Sequence, residues 1–269
     1  MSRLSLALDN TDLAEHYEQI SADRQFRVGK QLVEALGIGP GERVLDVGSG
    51  TGLLSGHIFE IVGPQGSVTG IDPLPLRIEI ARQRRNPAIR FEVGNAYDLS
   101  RFPDAGFDVV VLNAVFHWLP EKLEPLRQFA GVLAPGGRLG IATGSREHRN
   151  VLHEVKTRVL ARAPFNQYPE SQDGVAHHIS AAELRALLEQ AGFAIETLDV
   201  VSNPHHFPDG DAAVRFWEAS SFGNSVGHLP VAVRADARKA IAGELDALRT
   251  EAGIALGGAR IVSISVKAG

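Results

Sequence analysis

Cysteine is absent from all 269 residues, which removes disulfide scaffolds, thiolate metal centres, thiol nucleophiles and cysteine redox sensing together. A basic excess is lacking too. With 27 basic and 32 acidic residues the formal charge is −5, a poor match to a phosphate backbone, so nucleic acid is not an expected partner. Long apolar runs are missing as well: the stretch from Val109 to Leu119 falls far short of the roughly 20 residues that a membrane span needs. The first residues lack the apolar core and small-residue cleavage site of a signal peptide. No membrane association and a cytoplasmic location are therefore expected. Neither an internal repeat nor a low-complexity tract occurs. What is present suffices for a packed core, with 44% apolar against 22% charged residues, and excludes wholesale disorder. The length suits one decorated domain, or one domain with a small lid.

Along the chain, Leu13 to Leu36 carries apolar residues at mostly helical spacing with a break near Ser21, and Gly37, Gly39, Pro40 and Gly41 stop it. Strands and helices then alternate. The pattern predicts strands at 44–47, 67–72, 89–94, 107–113 and 138–143, and helices at 53–62, 76–85 and 123–133, the last ended by Pro135-Gly136-Gly137. Such alternation means a parallel sheet covered on both faces through right-handed crossovers. After Gly144 the rhythm breaks. A helix is expected over 148–163 and an aromatic and polar loop to 178; Ser180 then caps a helix over 181–191, with Glu183 at capping-box spacing and Gly192 at its end. Strands are expected at 194–201 and 260–267, separated by mostly helical sequence that reads as an inserted lid. The division predicted is cap helices over 1–42, a core of 43–144, 180–202 and 259–269, and lid insertions at 145–179 and 203–258.

The strongest chemical signal is Val44-Leu45-Asp46-Val47-Gly48-Ser49-Gly50-Thr51-Gly52-Leu53. An apolar strand runs into glycines at alternate positions and then opens a helix, so a ligand can sit directly on main-chain atoms. The spacing is not the G-x-G-x-x-G of dinucleotide sites, and no Gly-Lys-Ser/Thr follows as in a P-loop. Asp72 ends the second strand, where a carboxylate can accept hydrogen bonds from both hydroxyls of a ribose. A lone strand-end Asp is more often a turn residue; paired with the glycine loop, it points to a nucleoside site.

VLDVGSGTG, the acid of GIDP, GNAYDL, FDVVVLNAVFHWL and LAPGGRL occur in one order, and together they resemble the class I S-adenosylmethionine-dependent methyltransferases. That resemblance implies an α/β, Rossmann-like doubly wound sheet of seven strands in the order 3-2-1-4-5-7-6 with strand 7 antiparallel, and S-adenosylmethionine lying across the switch point. It implies that Gly48, Ser49 and Gly50 meet the methionyl part, Asp72 the ribose, Pro73 and Leu74 the adenine face, Asn95 and Ala96 its edge, and Asn113 and Ala114 the sulfonium. Many relatives have Asp where Asn95 stands; an amide oxygen can still accept from the adenine amino group, and a turn Asn is the other possibility. The N-terminal helices resemble those of small-molecule enzymes such as trans-aconitate and malonyl carrier-protein methyltransferases. There Tyr17, Arg24 and Gln25 match residues that meet the methionyl carboxylate, although Tyr17 also suits a packed core.

The acceptor is expected to be a small molecule, and the chain a monomer or homodimer. His117 and Trp118 follow the fourth strand, where this family often places residues near the transferred methyl; histidine is a natural base near neutral pH, and the same pair would also suit a helix start. His178 could face the pocket. The pairs His177-His178 and His205-His206 point to opposite sides of an extended chain, so no metal site is expected. Phe165, Tyr168, Phe216, Trp217 and Phe222 would form either an aromatic wall for a flat acceptor or simply the core of the lid. A similarity to enzymes that methylate indole at carbon 3 in pyrroloindoline pathways adds a carbon acceptor to hydroxyl and carboxylate oxygens. Two other functions remain open: a non-catalytic S-adenosylmethionine-binding protein, and a nicotinamide-dependent oxidoreductase on a similar sheet.

Overall fold

The computed structural model describes residues 22–147, 151–169, 176–202, 205–220, 226–256 and 258–268. Helix α1 (Ala22–Ala35) leads into β1 (Arg43–Val47), α2 (Leu53–Val62), β2 (Ser67–Asp72), α3 (Pro75–Arg84), β3 (Arg90–Val93) and β4 (Phe107–Asn113). A 3-10 turn at Phe116–Trp118 precedes α4 (Leu123–Val132) and β5 (Leu133–Gly144). Next come α5 (Val151–Leu160), α6 (Ala181–Gln190), β6 (Phe193–Ser202), β7 (His205–Phe207), α7 (Gly210–Ser220), α8 (Val231–Asp246), β8 (Ile254–Leu256) and β9 (Ala259–Lys267).

Seven strands form one sheet in the order β3-β2-β1-β4-β5-β9-β6. Strand β9 runs antiparallel to both neighbours, and the remaining pairs are parallel. This is the topology expected from the sequence, with β9 in the place of the seventh strand. Alternate residues of the central strands feed opposite cores, as a two-residue period requires. Val44, Val109 and Val111 face Leu32, Leu36, Ile58 and Ile78 of α1 to α3. Leu45, Val110 and Leu112 face Leu126 and Phe129 of α4 and Leu184 and Leu188 of α6. Because β1 is bonded on one side to β2 and on the other to β4, the strand order reverses there, and the ends Val47, Asp72 and Asn113 open onto one crevice.

Two local expectations need correcting. Pro135-Gly136-Gly137 does not separate helix from strand: α4 stops at Val132 and β5 has begun by Leu133. Leu133 pairs with Phe107, the register slips, and Arg138 pairs with Val109, so the Pro-Gly-Gly segment bulges out within the strand. The stretch after residue 202 is not all helix either. His205–Phe207 and Ile254–Leu256 pair antiparallel as a small separate sheet. The capping box on α6 forms as predicted, with Ser180 Oγ accepting from Glu183 N and Glu183 reaching back to Ser180 N.

The insertions have a core of their own. Val155, Val159, Phe165, Val214, Ile241 and Leu245 are buried together. Of the lid aromatics, Phe165 is buried in this cluster and Tyr168 packs on it. Phe216 lies against His205 and Phe207, with ring centroids 5.2 and 5.3 Å away, and Lys156 Nζ stands 5.6 Å from the Trp217 ring centre. These aromatics thus pack against other residues of the insertions; Phe222 lies outside the described residues.

Candidate functional site

The turn after β1 reverses the chain through left-handed glycines, with φ of 73° at Gly48 and 55° at Gly50. Gly48 N and Ser49 N both donate to Ile71 O, at 2.7 and 2.9 Å, which binds the turn to the end of β2. Asp72 completes the junction: its Oδ2 accepts from Gly50 N at 3.0 Å and its Oδ1 from Leu74 N at 2.9 Å. Arg85 Nε holds the far side of the loop through Thr51 O at 3.0 Å. On the other flank Gly48 abuts the Val115 methyl groups, leaving no room for a β-carbon.

Beneath α1 this turn borders a small pocket of about 50 Å³, lined among others by Gln25, Phe26, Asp46, Ser49, Leu54 and Asn113. Its polar groups are unusual. Among the described residues Ser49 Oγ and Asn113 Oδ1 are buried without a hydrogen-bond partner, although buried polar atoms are nearly always paired. Asp46 accepts a 2.6 Å bond from Ser55 Oγ. Burial pushes its carboxyl up to about 6; the Ser55 bond opposes this and the Asp72 charge adds to it. Asn113 Nδ2 meanwhile donates to Gln25 O at 2.9 Å and ties α1 over the pocket. Close approach of α1 depends on Gly29, where a β-carbon would press on Leu54 and Asn113. Acceptors at Asp46 and Asn113 beside a hydroxyl at Ser49 suit a zwitterionic amino-acid group. From the sequence Asp46 reads as one more strand residue, and only its burial in the fold sets it apart.

The chain leaves β4 through Ala114, whose φ of 58° is rare outside glycine and marks a constrained backbone. It then forms the 3-10 turn that presents His117. His117 Nδ1 lies 3.1 Å from Thr143 Oγ1 at the end of β5. Its ring stacks on His178, with centroids 5.3 Å apart and planes inclined by 21°. His177 N donates to His117 O at 2.7 Å, fastening the two segments. Burial pushes the His117 imidazole well below its usual range, and His178 and Lys122 add to the shift. Burial also lowers His178, with the Gly144 carbonyl opposing and Lys122, His153 and His177 adding. Among the described residues His178 Nδ1 is buried without a hydrogen-bond partner.

The structure therefore brings Gly48, Ser49, Gly50, Asp72 and Asn113 to one crevice, and it brings His117 against His178. Pro73 is partly buried and Leu74 buried where α3 begins. Ala114 is partly buried, and Ala96 is buried in the core. Asn95 is exposed, and its Oδ1 accepts from Tyr97 N at 2.8 Å, an Asx turn. Tyr17 lies outside the described residues, as does the side chain of Arg24. His205 packs against Phe207 and Phe216. Among the described residues no three His, Asp or Glu side chains converge as metal ligands. No helix among them is long and apolar enough to cross a membrane.

Residues 19–198, well over half of the chain, match the sequence model of a family described as "Methyltransferase domain". An O-methyltransferase, cnsE, of Penicillium expansum is 36% identical over 187 residues, which is 65% of this chain and 62% of that protein. An arsenite methyltransferase of Halobacterium salinarum is 33% identical over 185 residues, 64% of this chain and 43% of that protein. This chain thus spans less than two thirds of the length of either relative. Among solved structures, the YcgJ protein of Bacillus subtilis superposes with a TM-score of 0.63 over 90% of this chain and 98% of its own, at 19% identity. That likeness concerns the fold.

Proposed function

This chain belongs to the class I S-adenosylmethionine-dependent methyltransferases, and from that premise we propose that it transfers the methyl group of S-adenosylmethionine to a small-molecule acceptor. The observation that carries this is the pair of unpartnered buried atoms, Ser49 Oγ and Asn113 Oδ1, beside the Asp46 carboxylate. Asp46 and Asn113 would accept from the ammonium of the methionyl group, and Ser49 with the N–H groups of the glycine turn would meet its carboxylate. Tyr17 and Arg24, from the N-terminal segment, would add to the carboxylate contacts. Asp72 would take the ribose, with Pro73 and Leu74 beside the adenine and Ala96 near its edge. Asn95 would offer its amide N–H₂, since its oxygen already serves the turn. Ala114, with Asn113, would lie near the sulfonium.

When bound, S-adenosylmethionine supplies an electrophilic methyl on a positively charged sulfur, so alignment of the acceptor provides most of the catalysis. His117 would receive the proton that the acceptor loses, with His178, and Tyr17 from the N-terminal segment, beside it. The insertions at 145–179 and 203–258 would enclose the acceptor. A natural-product intermediate of secondary metabolism in the cytoplasm fits the family resemblance: an electron-rich aromatic carbon such as indole C3, or a hydroxyl or carboxylate oxygen. The absence of cysteine argues against arsenite, a soft acceptor that calls for thiolates.

The direct test is incubation with methyl-labelled S-adenosylmethionine and a panel of indoles, phenols and carboxylic acids, with label expected in at least one class. Tight S-adenosylhomocysteine binding with no labelled product would instead favour a non-catalytic binding protein. Thermal stabilisation by NAD(H) but not by S-adenosylhomocysteine would favour an oxidoreductase. His117→Phe is expected to lower turnover by about 10²–10⁴-fold, the range for a lost acid–base group, with little change in cofactor affinity. Full activity in that variant would retire His117 as the proton acceptor.

A pH dependence follows from Asp46. The ligand's ammonium needs an ionised carboxylate, so affinity for S-adenosylhomocysteine should tighten as pH rises through about 6. Stability runs the other way. The folded carboxyl holds its proton above its ordinary value of 3.8, so its contribution is full below that value and is lost as pH climbs through about 6. Asp46→Asn should flatten the affinity profile measured by calorimetry between roughly pH 5 and 7.5, a window spanning the carboxyl's titration. Equal slopes in the two proteins would remove Asp46 from the ammonium.

A further inference from the structure

Lys122 is only 7% exposed, unusual for a charged side chain. Its ammonium donates to Phe116 O at 3.0 Å and Leu119 O at 2.7 Å, and stands 5.0 Å from the Phe116 ring centre. Those two carbonyls bracket the 3-10 turn that carries His117. An apolar side chain of similar length would fill the same space without the desolvation that a buried charge incurs. We infer that Lys122 is a positioning residue for the acceptor site: it fixes the His117 turn from beneath, and its charge keeps the stacked His117–His178 pair free to take a single proton.

The surroundings support this from every side. Glu121 precedes Lys122 on its own loop, and Glu183 on α6 also acts on it through space. The pair itself faces Lys122, with His177 and, on α5, His153 around His178. His117 Nδ1 meets the Thr143 hydroxyl rather than a carboxylate that would strengthen it as a base. Two rings stacked this closely do not both carry charge, and each already resists protonation by burial.

Given the proposed methyl transfer, on which this consequence rests, a weak neutral base selects acceptors by acidity. Phenols, enols and carboxylic acids can pass their proton to an imidazole nitrogen and keep the electron pair on oxygen. That pair forms the new bond to the methyl carbon as the sulfonium sulfur retains the electrons of the old one. An aromatic carbon whose ring N–H becomes acidic as its bond forms is served in the same way. Aliphatic alcohols, far weaker acids than any of these, are not.

The imidazole nitrogens can be followed by NMR in the ¹⁵N-histidine-labelled protein, with no cofactor or acceptor present, in wild type and Lys122→Gln. Removing the charge should raise the titration midpoint of the pair by about half a pH unit or more, in the range for a neighbouring charge. Should Lys122→Gln not fold, the wild type alone decides. Burial brings Lys122 down to about 8, so the His117 and His178 resonances should show a step there as the ammonium is lost. Unchanged midpoints in a folded variant, or no such step in the wild type, would overturn the role of Lys122. Equal labelling of phenol and cyclohexanol would overturn the acidity rule. Labelling of neither would count against methyl transfer itself, while the titration would still decide Lys122.

Discussion

Replacing Asp72 with alanine is expected to lower both fold stability and cofactor affinity. The carboxylate is buried and accepts from Gly50 N and Leu74 N, so it holds the glycine turn, the end of β2 and the start of α3 at one point. Removing it leaves two buried N–H groups unpaired, at about 1–3 kcal/mol each. For a chain of this size that corresponds to a fall in melting temperature of roughly 4–24 °C at 2–4 °C per kcal/mol. Loss of the ribose contact should weaken S-adenosylhomocysteine by a further 1–3 kcal/mol or so. Asp72→Asn divides the two effects, because one acceptor oxygen remains while the amide N–H₂ confronts a backbone donor. A wild-type melting temperature in Asp72→Ala would show that the junction does not depend on this carboxylate. Unchanged affinity would take Asp72 off the ribose.

Gly48→Val should have the larger effect on binding. The residue sits at φ 73°, where a β-branched side chain is a genuine outlier. The new side chain would also overlap Val115, which comes from the segment after β4. Relief of the clash must pull apart either the β1 and β4 turns or the bonds from Gly48 N and Ser49 N to Ile71 O. Backbone strain of this kind costs on the order of 1–3 kcal/mol before any cofactor contact is lost, so an affinity loss of about a hundredfold or more is expected. Gly37→Ala is the control. Its φ is 59° and nothing lies within 4 Å of a β-carbon placed there, so it should lose about 1 kcal/mol of stability and keep its affinity. Similar affinity losses in both variants would mean that the Gly48 turn has no special place in the site.

Much of this was legible because buried parallel strands and amphipathic helices have strong periods. The limits of α2, β2 and β4 emerge from the sequence at the residues where the structure puts them. The strand order follows from the resemblance rather than from periodicity, which says nothing about who pairs with whom. The three-residue strands β7 and β8 are too short to show a period and lie between turn signals, so they read as part of a helical lid. The Pro-Gly-Gly bulge carries the same residues that stop helices, and only its pairing partner Phe107 distinguishes the two. Within the site, the glycine turn and Asp72 stand out by spacing. Asp46 and Lys122 do not, because their significance comes from burial: both are charged side chains that the fold withdraws from water. The contact between His117 and His178 joins segments far apart in the chain, and no local pattern announces it.

The insertions after Gly144 resist sequence reading for a related reason. Its aromatics satisfy one another, as Phe207 and Phe216 do with centroids 5.3 Å apart, and composition alone does not tell a self-packed cluster from a wall turned towards a ligand.

Calorimetric titration of S-adenosylhomocysteine into the wild type and Gly48→Val is the measurement that bears most directly on the crevice at the β1–β4 switch. One molecule should bind per chain in the wild type, and heat of binding should all but vanish in a variant that remains folded. No binding to the wild type, or undiminished binding once valine occupies the turn, would mean that the glycine turn, Asp72 and the pocket beneath α1 do not hold this cofactor.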